Sequence, residues 1–213
     1  MTNRADSSGP DLQVGRGSAG PEPRTPDFDF LELFRQSGAL LEGHFRLSSG
    51  LHSERYLQSA LVLQHPGFAS ALGEGIAART GHLDPTVVLS PALGGIVIGQ
   101  EVARALSVRA IFAERQDGTL ALRRGFTLAP ADRVLVVEDV ITTGLSTRET
   151  VEVARGTGAT VVGAAAIIDR GNNDATLGVP LYALVQLEVP TYPSDSCPLC
   201  AKGEPVVKPG SRG

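Results

Sequence analysis

The sequence predicts an α/β domain with a parallel twisted sheet, helices on both faces and a small N-terminal cap, here called the hood. Short continuous aliphatic runs alternate with segments of helical spacing, a pattern typical of parallel strands buried on both faces. The runs lie at 86–89, 108–113, 134–137, 161–168 and 181–187. The chain has 213 residues, of which 42% are apolar and 5% aromatic, so one domain with an aliphatic core is expected.

Composition divides the chain into four parts. Residues 1–26 are rich in Gly, Pro, Ser and charge, so we expect a disordered leader. Residues 27–65 are predicted to form an N-terminal helix and the hood, and residues 66–190 the sheet and its helices. Residues 191–213 are expected to be a C-terminal tail.

The hood is predicted from three short segments. Helical spacing from Phe28 to Ser37 indicates a helix, which Gly38 can end. Two polar-studded segments at 45–49 and 56–63 are interpreted as strands separated by a turn.

Charge and hydropathy exclude several classes of protein. The net charge of −4 argues against a nucleic-acid-binding surface. No apolar run is long enough for a membrane span, and the N-terminus lacks the pattern of a signal peptide. Both cysteines lie in the tail, so the core has no disulfide framework, which favours a reducing, cytoplasmic location.

The most informative motif is the segment 134–146. A buried aliphatic strand ends in Glu138 and Asp139, and a loop containing Gly144 then leads into a helix. Gly144 lets backbone N–H groups converge on an anion, and the helix start favours phosphate. Further hydroxyl donors come from Thr142, Thr143 and Ser146. The adjacent carboxylates suit two ribose hydroxyls and can stabilise positive charge at the anomeric carbon.

This segment resembles the donor-binding signature of type I phosphoribosyltransferases. The resemblance implies that Glu138 and Asp139 are catalytic and bind the ribose of phosphoribosyl pyrophosphate (PRPP), while the loop holds its 5-phosphate. The implied PRPP-binding residues are Glu138, Asp139, Val140, Ile141, Thr142, Thr143, Gly144, Leu145 and Ser146. It further implies Mg²⁺ bound through PRPP, with no metal ligand supplied directly by the protein, and a homodimer.

Two other segments are similar to orotate phosphoribosyltransferases. Residues 39–58 resemble their hood, with a strand, a Ser-Gly turn and an aromatic second strand, and Ile167–Arg170 resembles a late strand whose Arg meets orotate. The resemblance implies that PRPP and orotate give orotidine 5′-monophosphate and pyrophosphate. The implied orotate-binding residues are Tyr56, Thr142 and Arg170.

The chain departs from that pattern at three places, which keeps alternatives open. The orotate enzymes commonly carry Lys where Ser48 stands, a Tyr-Lys pair where Leu93–Gly94 stands, and Lys and His in a loop where residues 115–125 have neither. One alternative is a purine phosphoribosyltransferase acting on xanthine or hypoxanthine. Another is a regulator that senses PRPP, although the acidic chain lacks a DNA-binding module and the intact Glu138–Asp139 pair favours an enzyme.

Two segments are candidates for pyrophosphate binding. A Gly-rich loop follows the strand at 86–89, and its N–H groups are expected to bind the anion at Ala92, Leu93 and Gly94. The segment 115–125 is either an exposed hairpin or a lid whose cations cover the leaving group. As a lid it would supply catalytic Arg115 together with Arg123 and Arg124, and in related enzymes this loop reaches into the neighbouring subunit's site.

Cys197 and Cys200 form a lone C-x-x-C in the tail. A structural zinc site needs four ligands, and no second cysteine pair exists, so a tail with two thiols is expected. An inter-subunit metal site and a redox pair stay open. None of the histidines has metal-ligand spacing, and no catalytic role is assigned to His44, His52, His65 or His82.

Overall fold

The computed structural model describes residues 29–47, 50–171 and 174–208, so the leader predicted at 1–26 lies outside the described residues. The helices are α1 (Phe30–Gln36), α2 (Ser59–Leu63), α3 (Pro66–Thr80), α4 (Gly95–Leu106), α5 (Leu145–Arg155), α6 (Asp174–Leu177) and α7 (Pro198–Ala201). The strands are β1 (Leu40–Arg46), β2 (His52–Leu57), β3 (Val87–Pro91), β4 (Arg109–Gln116), β5 (Thr119–Leu122), β6 (Arg133–Ile141), β7 (Thr160–Asp169), β8 (Leu181–Gln186) and β9 (Thr191–Tyr192). Within these ranges, none of the helices is both long and apolar enough to cross a bilayer.

The main sheet confirms the predicted fold class. Its strand order is β5-β4-β3-β6-β7-β8, and every neighbouring pair is parallel except β4 and β5. Each of the aliphatic runs singled out in the sequence forms one of the parallel strands.

Both faces of this sheet are buried, which explains why its strands are continuously aliphatic. Along β6, Leu135 and Val137 pack into the core that contains α1 to α4. Val134 and Val136 point to the opposite core, which contains the apolar side of α5.

The order of the strands creates a switch point between β3 and β6. The chain leaves β3 through α4 towards β4, and leaves β6 through α5 towards β7 on the other side. The loops after β3 and β6 therefore separate at the carboxyl edge of the sheet, where open α/β folds bind ligands.

The hood differs in detail from the prediction. Its strands are β1 and β2, and the segment predicted as a strand at 56–63 stays extended only to Leu57, because residues 59–63 form α2. Ser59, Val62 and Leu63 are buried at helical spacing. The strand was predicted from the turns beside this short segment, which is too short for its periodicity to distinguish a helix from a strand.

The tail packs on the hood as a third strand and a bridge. β9 pairs antiparallel with β2, opposite His52 and Ser53. Farther along, the N–H of Arg46 donates to the carbonyl of Val207 at 2.8 Å, and the N–H of Val207 donates to the carbonyl of His44 at 2.8 Å. Residues 191–208 thus complete the small sheet whose first two strands lie near the N-terminus.

Candidate active site

A cavity of about 460 Å³ opens between the hood and the carboxyl ends of β6 and β7. Its walls are Leu47, Leu51, Tyr56, Leu57, Gln58, Ser59, Asp139, Val140, Thr142, Thr143, Arg170, Val189 and Thr191. A second cavity of about 410 Å³ adjoins it on the side of the loop after β3. The two share Gln58, Ser59 and Asp139, so a ligand can extend from one into the other.

Asp139 stands where the two cavities meet. Its Oδ2 accepts a hydrogen bond from the hydroxyl of Ser59 at the start of α2. On its other side lies Gly94, where a Cβ would be 2.8 Å from both carboxylate oxygens. Only glycine at that position lets the loop after β3 approach the carboxylate of Asp139. The loops after β3 and β6 therefore form one site.

Glu138 lies beneath this centre and is only 6% exposed. Burial, followed by the neighbouring charge of Asp139, raises the pKa of Glu138 from its ordinary value of 4.5 to about 9. A hydrogen bond to Ser146 opposes the shift without cancelling it. At neutral pH the ligand-free site therefore holds a proton on Glu138 and ties the strand end to the following loop.

The loop after β6 adopts the conformation expected of an anion-binding turn. Gly144 has a φ of +70° and directly precedes α5. Thr142 and Thr143 are exposed and line the first cavity. The amino end of α5 consequently opens beside the cavity and favours a negatively charged group there.

The predicted PRPP-binding residues occupy different positions around this loop. Those lining the first cavity are Asp139, Val140, Thr142 and Thr143. Ile141 is 1% exposed and belongs to the core, while Leu145 is 55% exposed. Gly144 forms the turn, and Glu138 and Ser146 support the loop from below.

Arg170 follows β7 and lines the first cavity. Its backbone N–H donates to the carbonyl of Ile141 at 2.9 Å, which fixes the residue beside the donor loop. Burial lowers the pKa of its guanidinium, an effect that the nearby Tyr56 opposes. The buried Nε finds no acceptor among the described residues. A half-buried cation with an unpaired donor, facing a cavity, suits a carboxylate ligand.

Tyr56 supplies an aromatic wall from β2 of the hood. Its ring centroid lies 5.9 Å from that of Phe45. Leu47 and Leu51 line the cavity on the same side. The first cavity therefore combines a flat, partly apolar wall with a guanidinium, as a planar anionic base requires.

The loop after β3 supports part of the predicted pyrophosphate site. Leu93 and Gly94 line the second cavity together with Val97, and the Ala92–Leu93 peptide bond is cis. The N–H of Ala92, however, donates to the carbonyl of Ala113 at 2.8 Å. The expectation that this N–H binds the anion is wrong, because the N–H is already hydrogen-bonded to β4. Leu93 and Gly94 remain as candidates.

Residues 115–125 form part of an ordered hairpin in the single chain. β4 and β5 are joined through Asp117 and Gly118, both with positive φ, as a tight hairpin turn requires. Arg115 is paired with Glu149 of α5, and Arg124 with Glu114 at 2.7 Å. Neither these two nor Arg123 is among the residues lining the two cavities. The hairpin alternative thus describes the isolated chain, and the lid stays a prediction.

Several lining residues were absent from the sequence prediction. Gln58 and Ser59 come from the turn between β2 and α2, a segment interpreted as strand. Val189 and Thr191 come from the beginning of the tail, whose pairing with β2 has no local signature in the sequence.

The structure brings the two cysteines of the tail close to two of the histidines. His44, His52, Cys197 and Cys200 place their ligand atoms within 4.8 Å of one another. Both cysteines are free thiols, as expected, and the histidines have no metal-ligand spacing in the sequence, but β1, β2 and α7 bring all four side chains together. His65 and His82 are exposed and lie outside this group.

Comparisons with known proteins agree with the geometry of the site. A family model described as "Phosphoribosyl transferase domain" matches residues 60–176. The orotate phosphoribosyltransferase of Pelotomaculum thermopropionicum is 53% identical over 184 residues, covering 86% of this chain and 97% of that protein. That of Heliobacterium modesticaldum is 52% identical over 184 residues, covering 85% and 96%.

Solved structures give the same result. Orotate phosphoribosyltransferase from Aeropyrum pernix matches with a TM-score of 0.64 at 28% identity, covering 74% of this chain and 93% of that one. The Mycobacterium tuberculosis H37Rv enzyme in complex with PRPP matches with a TM-score of 0.61 at 26% identity, covering 76% and 97%.

Proposed function

The chain belongs to the phosphoribosyltransferase family, and from this premise we propose that it transfers the phosphoribosyl group of PRPP to orotate. The products are orotidine 5′-monophosphate and pyrophosphate. The observation that carries the choice of base is Arg170, which lines a cavity with Tyr56 and Asp139 and whose buried Nε has no acceptor among the described residues. A guanidinium binds the carboxylate of orotate through its planar donors, whereas xanthine and hypoxanthine have no carboxylate to offer.

The two cavities suggest how PRPP is oriented. The 5-phosphate suits the loop at 142–146 and the amino end of α5. The ribose hydroxyls suit Asp139, and pyrophosphate extends into the second cavity beside Leu93 and Gly94. This orientation puts the anomeric carbon near Asp139, between the base and the leaving group.

The chemistry proposed for this arrangement is a substitution at the anomeric carbon. The C1–O bond breaks with its electron pair leaving on pyrophosphate, while N1 of orotate forms the new C1–N bond and its proton is released to solvent. Positive charge develops on the ribose, and the Asp139 carboxylate stabilises it electrostatically. Glu138 is protonated at neutral pH, so it adds no second negative charge beside Asp139.

Mg²⁺ is part of the proposal as a partner of PRPP. The diphosphate and hydroxyls of PRPP would supply the oxygen ligands that this hard cation prefers, while the carboxylate of Asp139 at the junction of the cavities would favour the complex by its charge. When bound through the diphosphate, Mg²⁺ would neutralise charge on the leaving group.

A homodimer with a shared lid is the second part of the proposal. Among the described residues, the second cavity is lined by no cationic side chain, although pyrophosphate departs with several negative charges. Arg115, Arg123 and Arg124 lie on an exposed hairpin and, if supplied by a partner subunit, would complete that side. A cytoplasmic location, consistent with the free thiols of Cys197 and Cys200, completes the proposal.

The lid is tested by mixing two inactive proteins, Asp139→Asn and a triple variant with Arg115, Arg123 and Arg124 changed to Ala. Random subunit exchange gives heterodimers with one complete site, so about a quarter of wild-type activity should return. Demonstrated exchange without recovered activity would place the lid in its own subunit or outside the reaction.

The choice of base is tested by supplying PRPP and Mg²⁺ with orotate, xanthine or hypoxanthine and measuring pyrophosphate release. Turnover with orotate alone is expected. Turnover with a purine would support the purine alternative, and PRPP binding without turnover would support a sensor.

A further inference from the structure

Four potential metal ligands converge between the hood and the tail. His44 lies on β1, His52 on β2, and Cys197 and Cys200 at the start and within α7. His44 Nε2 lies 2.8 Å from His52 Nδ1, 3.6 Å from Cys197 Sγ and 3.7 Å from Cys200 Sγ. Cys200 Sγ lies 3.3 Å from His52 Nδ1. We call these four residues the Cys/His cluster.

The chain path explains how residues so distant in sequence meet. β1 and β2 are antiparallel, and an irregularity between Glu42 and Phe45 lets His44 lie beside His52. β9 pairs with the beginning of β2, and Val207 bridges to Phe45 on β1. α7 lies between these two attachments and is thereby held over the histidines.

The distances approach those of a tetrahedral zinc site. Zn–S bonds of about 2.3 Å and Zn–N bonds of about 2.0 Å give roughly 3.6 Å between a ligating nitrogen and sulfur, and roughly 3.3 Å between two nitrogens. Three of the four nitrogen–sulfur distances lie between 3.3 and 3.7 Å, in agreement with this geometry, and all ligand atoms lie within 4.8 Å of one another. The two nitrogens need to separate by about half an ångström from their present 2.8 Å to admit the ion.

A hydrogen bond outside the cluster sets the tautomer of His44. Its Nδ1 lies 2.7 Å from the carbonyl of Glu204 and donates to it. The proton is thus on Nδ1, and the lone pair of Nε2 points into the cluster. Such a carbonyl partner behind a ligating imidazole is a regular feature of protein zinc sites.

Backbone hydrogen bonds attach the tail on either side of α7, but side-chain burial adds little to them. In the stretch 193–208, Cys197 and Leu199 are buried, and the other residues, including Cys200, are exposed. Two small apolar contacts are a weak core for a segment of this length, and short segments of this kind are commonly held by a disulfide or a metal.

We propose that the Cys/His cluster is a structural zinc site that fastens the tail to the hood. Two thiolates and two imidazoles form a closed ligand set with no position left for substrate, which is the arrangement of structural rather than catalytic zinc. β2 carries both His52 and Tyr56, and the tail supplies Val189 and Thr191 to the first cavity. The ion therefore supports the wall on the base side of the cavity without touching the reacting atoms.

The first test is the metal content of the full-length chain, purified in reducing buffer without chelators and loaded with zinc before desalting. Elemental analysis should find about one zinc ion per chain. Cys197→Ser, Cys200→Ser and His44→Gln should each weaken zinc retention about tenfold or more. His65→Gln, which changes an exposed histidine outside the cluster, is the matched control and should keep the ion.

A second measurement uses only the wild-type chain, in case a variant fails to fold. Replacement of zinc by Co²⁺ should give the visible bands of a tetrahedral ion and a sulfur-to-cobalt charge-transfer band. The chain contains no cysteines besides Cys197 and Cys200, so that band identifies the tail as the source of the ligands.

Three results would overturn the proposal. One is a reduced wild-type chain that retains no zinc. Another is zinc retained equally by Cys200→Ser. The third is a Cys197–Cys200 disulfide mapped in freshly lysed cells without zinc, because the pair would then be a redox site.

Discussion

The donor edge, residues 138–146, and the Cys/His cluster both gather polar side chains, but they are assembled in opposite ways. The donor edge is continuous in sequence and lies on one strand, one turn and one helix start. The Cys/His cluster joins residues 153 and 156 positions apart, brought together by a three-stranded sheet. The first was identified from the sequence alone, whereas the second was missed.

The two regions also differ in what their polar groups do for the fold. At the donor edge, burial and then the neighbouring charge of Asp139 raise the pKa of Glu138, so the fold holds this carboxyl group in its neutral form at pH 7. In the cluster, the ligand atoms face a common point that an ion would stabilise. Changes at the donor edge should therefore affect catalysis more than folding, and changes in the cluster should do the reverse.

The largest effect is expected from Asp139→Asn. Loss of the carboxylate at the junction of the cavities should lower kcat by about 10²- to 10³-fold, because transition-state charge is no longer stabilised. The melting temperature should change little. Steady-state kinetics and thermal unfolding check both points, with Glu152→Gln, an exposed ion-pair residue on α5, as the control. A folded Asn variant with near-normal turnover would contradict the role of Asp139.

Arg170→Ala sharpens the comparison by separating base from donor. Loss of a charged hydrogen-bonding group should raise the KM for orotate about 10- to 100-fold, equivalent to roughly 1.5–3 kcal/mol. The KM for PRPP should change much less. Arg170→Lys keeps the charge without the planar donors, so its KM for orotate should lie between those of the wild type and Arg170→Ala. If only the PRPP constant changes, Arg170 does not bind the base.

Removal of the proposed zinc tests the second region of the comparison, the Cys/His cluster. Chelation should lower the melting temperature by about 5–10 °C, equivalent to roughly 2–4 kcal/mol, because the tail loses one of its attachments to the hood. At saturating substrate and moderate temperature, kcat should remain within about twofold, since the ion is remote from the reacting atoms. Differential scanning fluorimetry and kinetics on the same samples measure both. If zinc removal lowered kcat but left the melting temperature unchanged, the Cys/His cluster would serve catalysis rather than folding, contrary to this comparison.

The smallest effect is a gain in stability from Glu138→Gln. The folded state holds a proton on Glu138 up to about pH 9, whereas the unfolded chain releases it near 4.5, so the wild-type loses stability as pH rises between these values. The amide should stabilise the ligand-free fold by about 1–3 kcal/mol at pH 8. Urea unfolding across this range measures the difference, which should vanish towards low pH. A gain that does not depend on pH would exclude the carboxyl group as its cause.

The sequence predicted local features of the main sheet well and the contacts of the tail poorly. The strands of the parallel sheet agree with the sequence prediction, and the structure puts Asp139, Thr142 and Thr143 on one cavity beside the turn at Gly144, while their binding of PRPP stays a prediction. Tyr56 and Arg170 were placed by resemblance, and the structure puts both on one cavity. The helix at 59–63, the occupied N–H of Ala92 and the cavity residues of the tail were not foreseen.

The sequence by itself determined the features that depend on neighbouring residues. Side-chain period specifies which runs are buried strands, and a glycine before a helix specifies a turn that can bind an anion. Tertiary structure alone decided that β9 would pair with β2 and that His44, His52, Cys197 and Cys200 would meet. Such pairings have no local signature, because they depend on the free energy of the whole chain, in which closing a long loop must be offset by many contacts formed together.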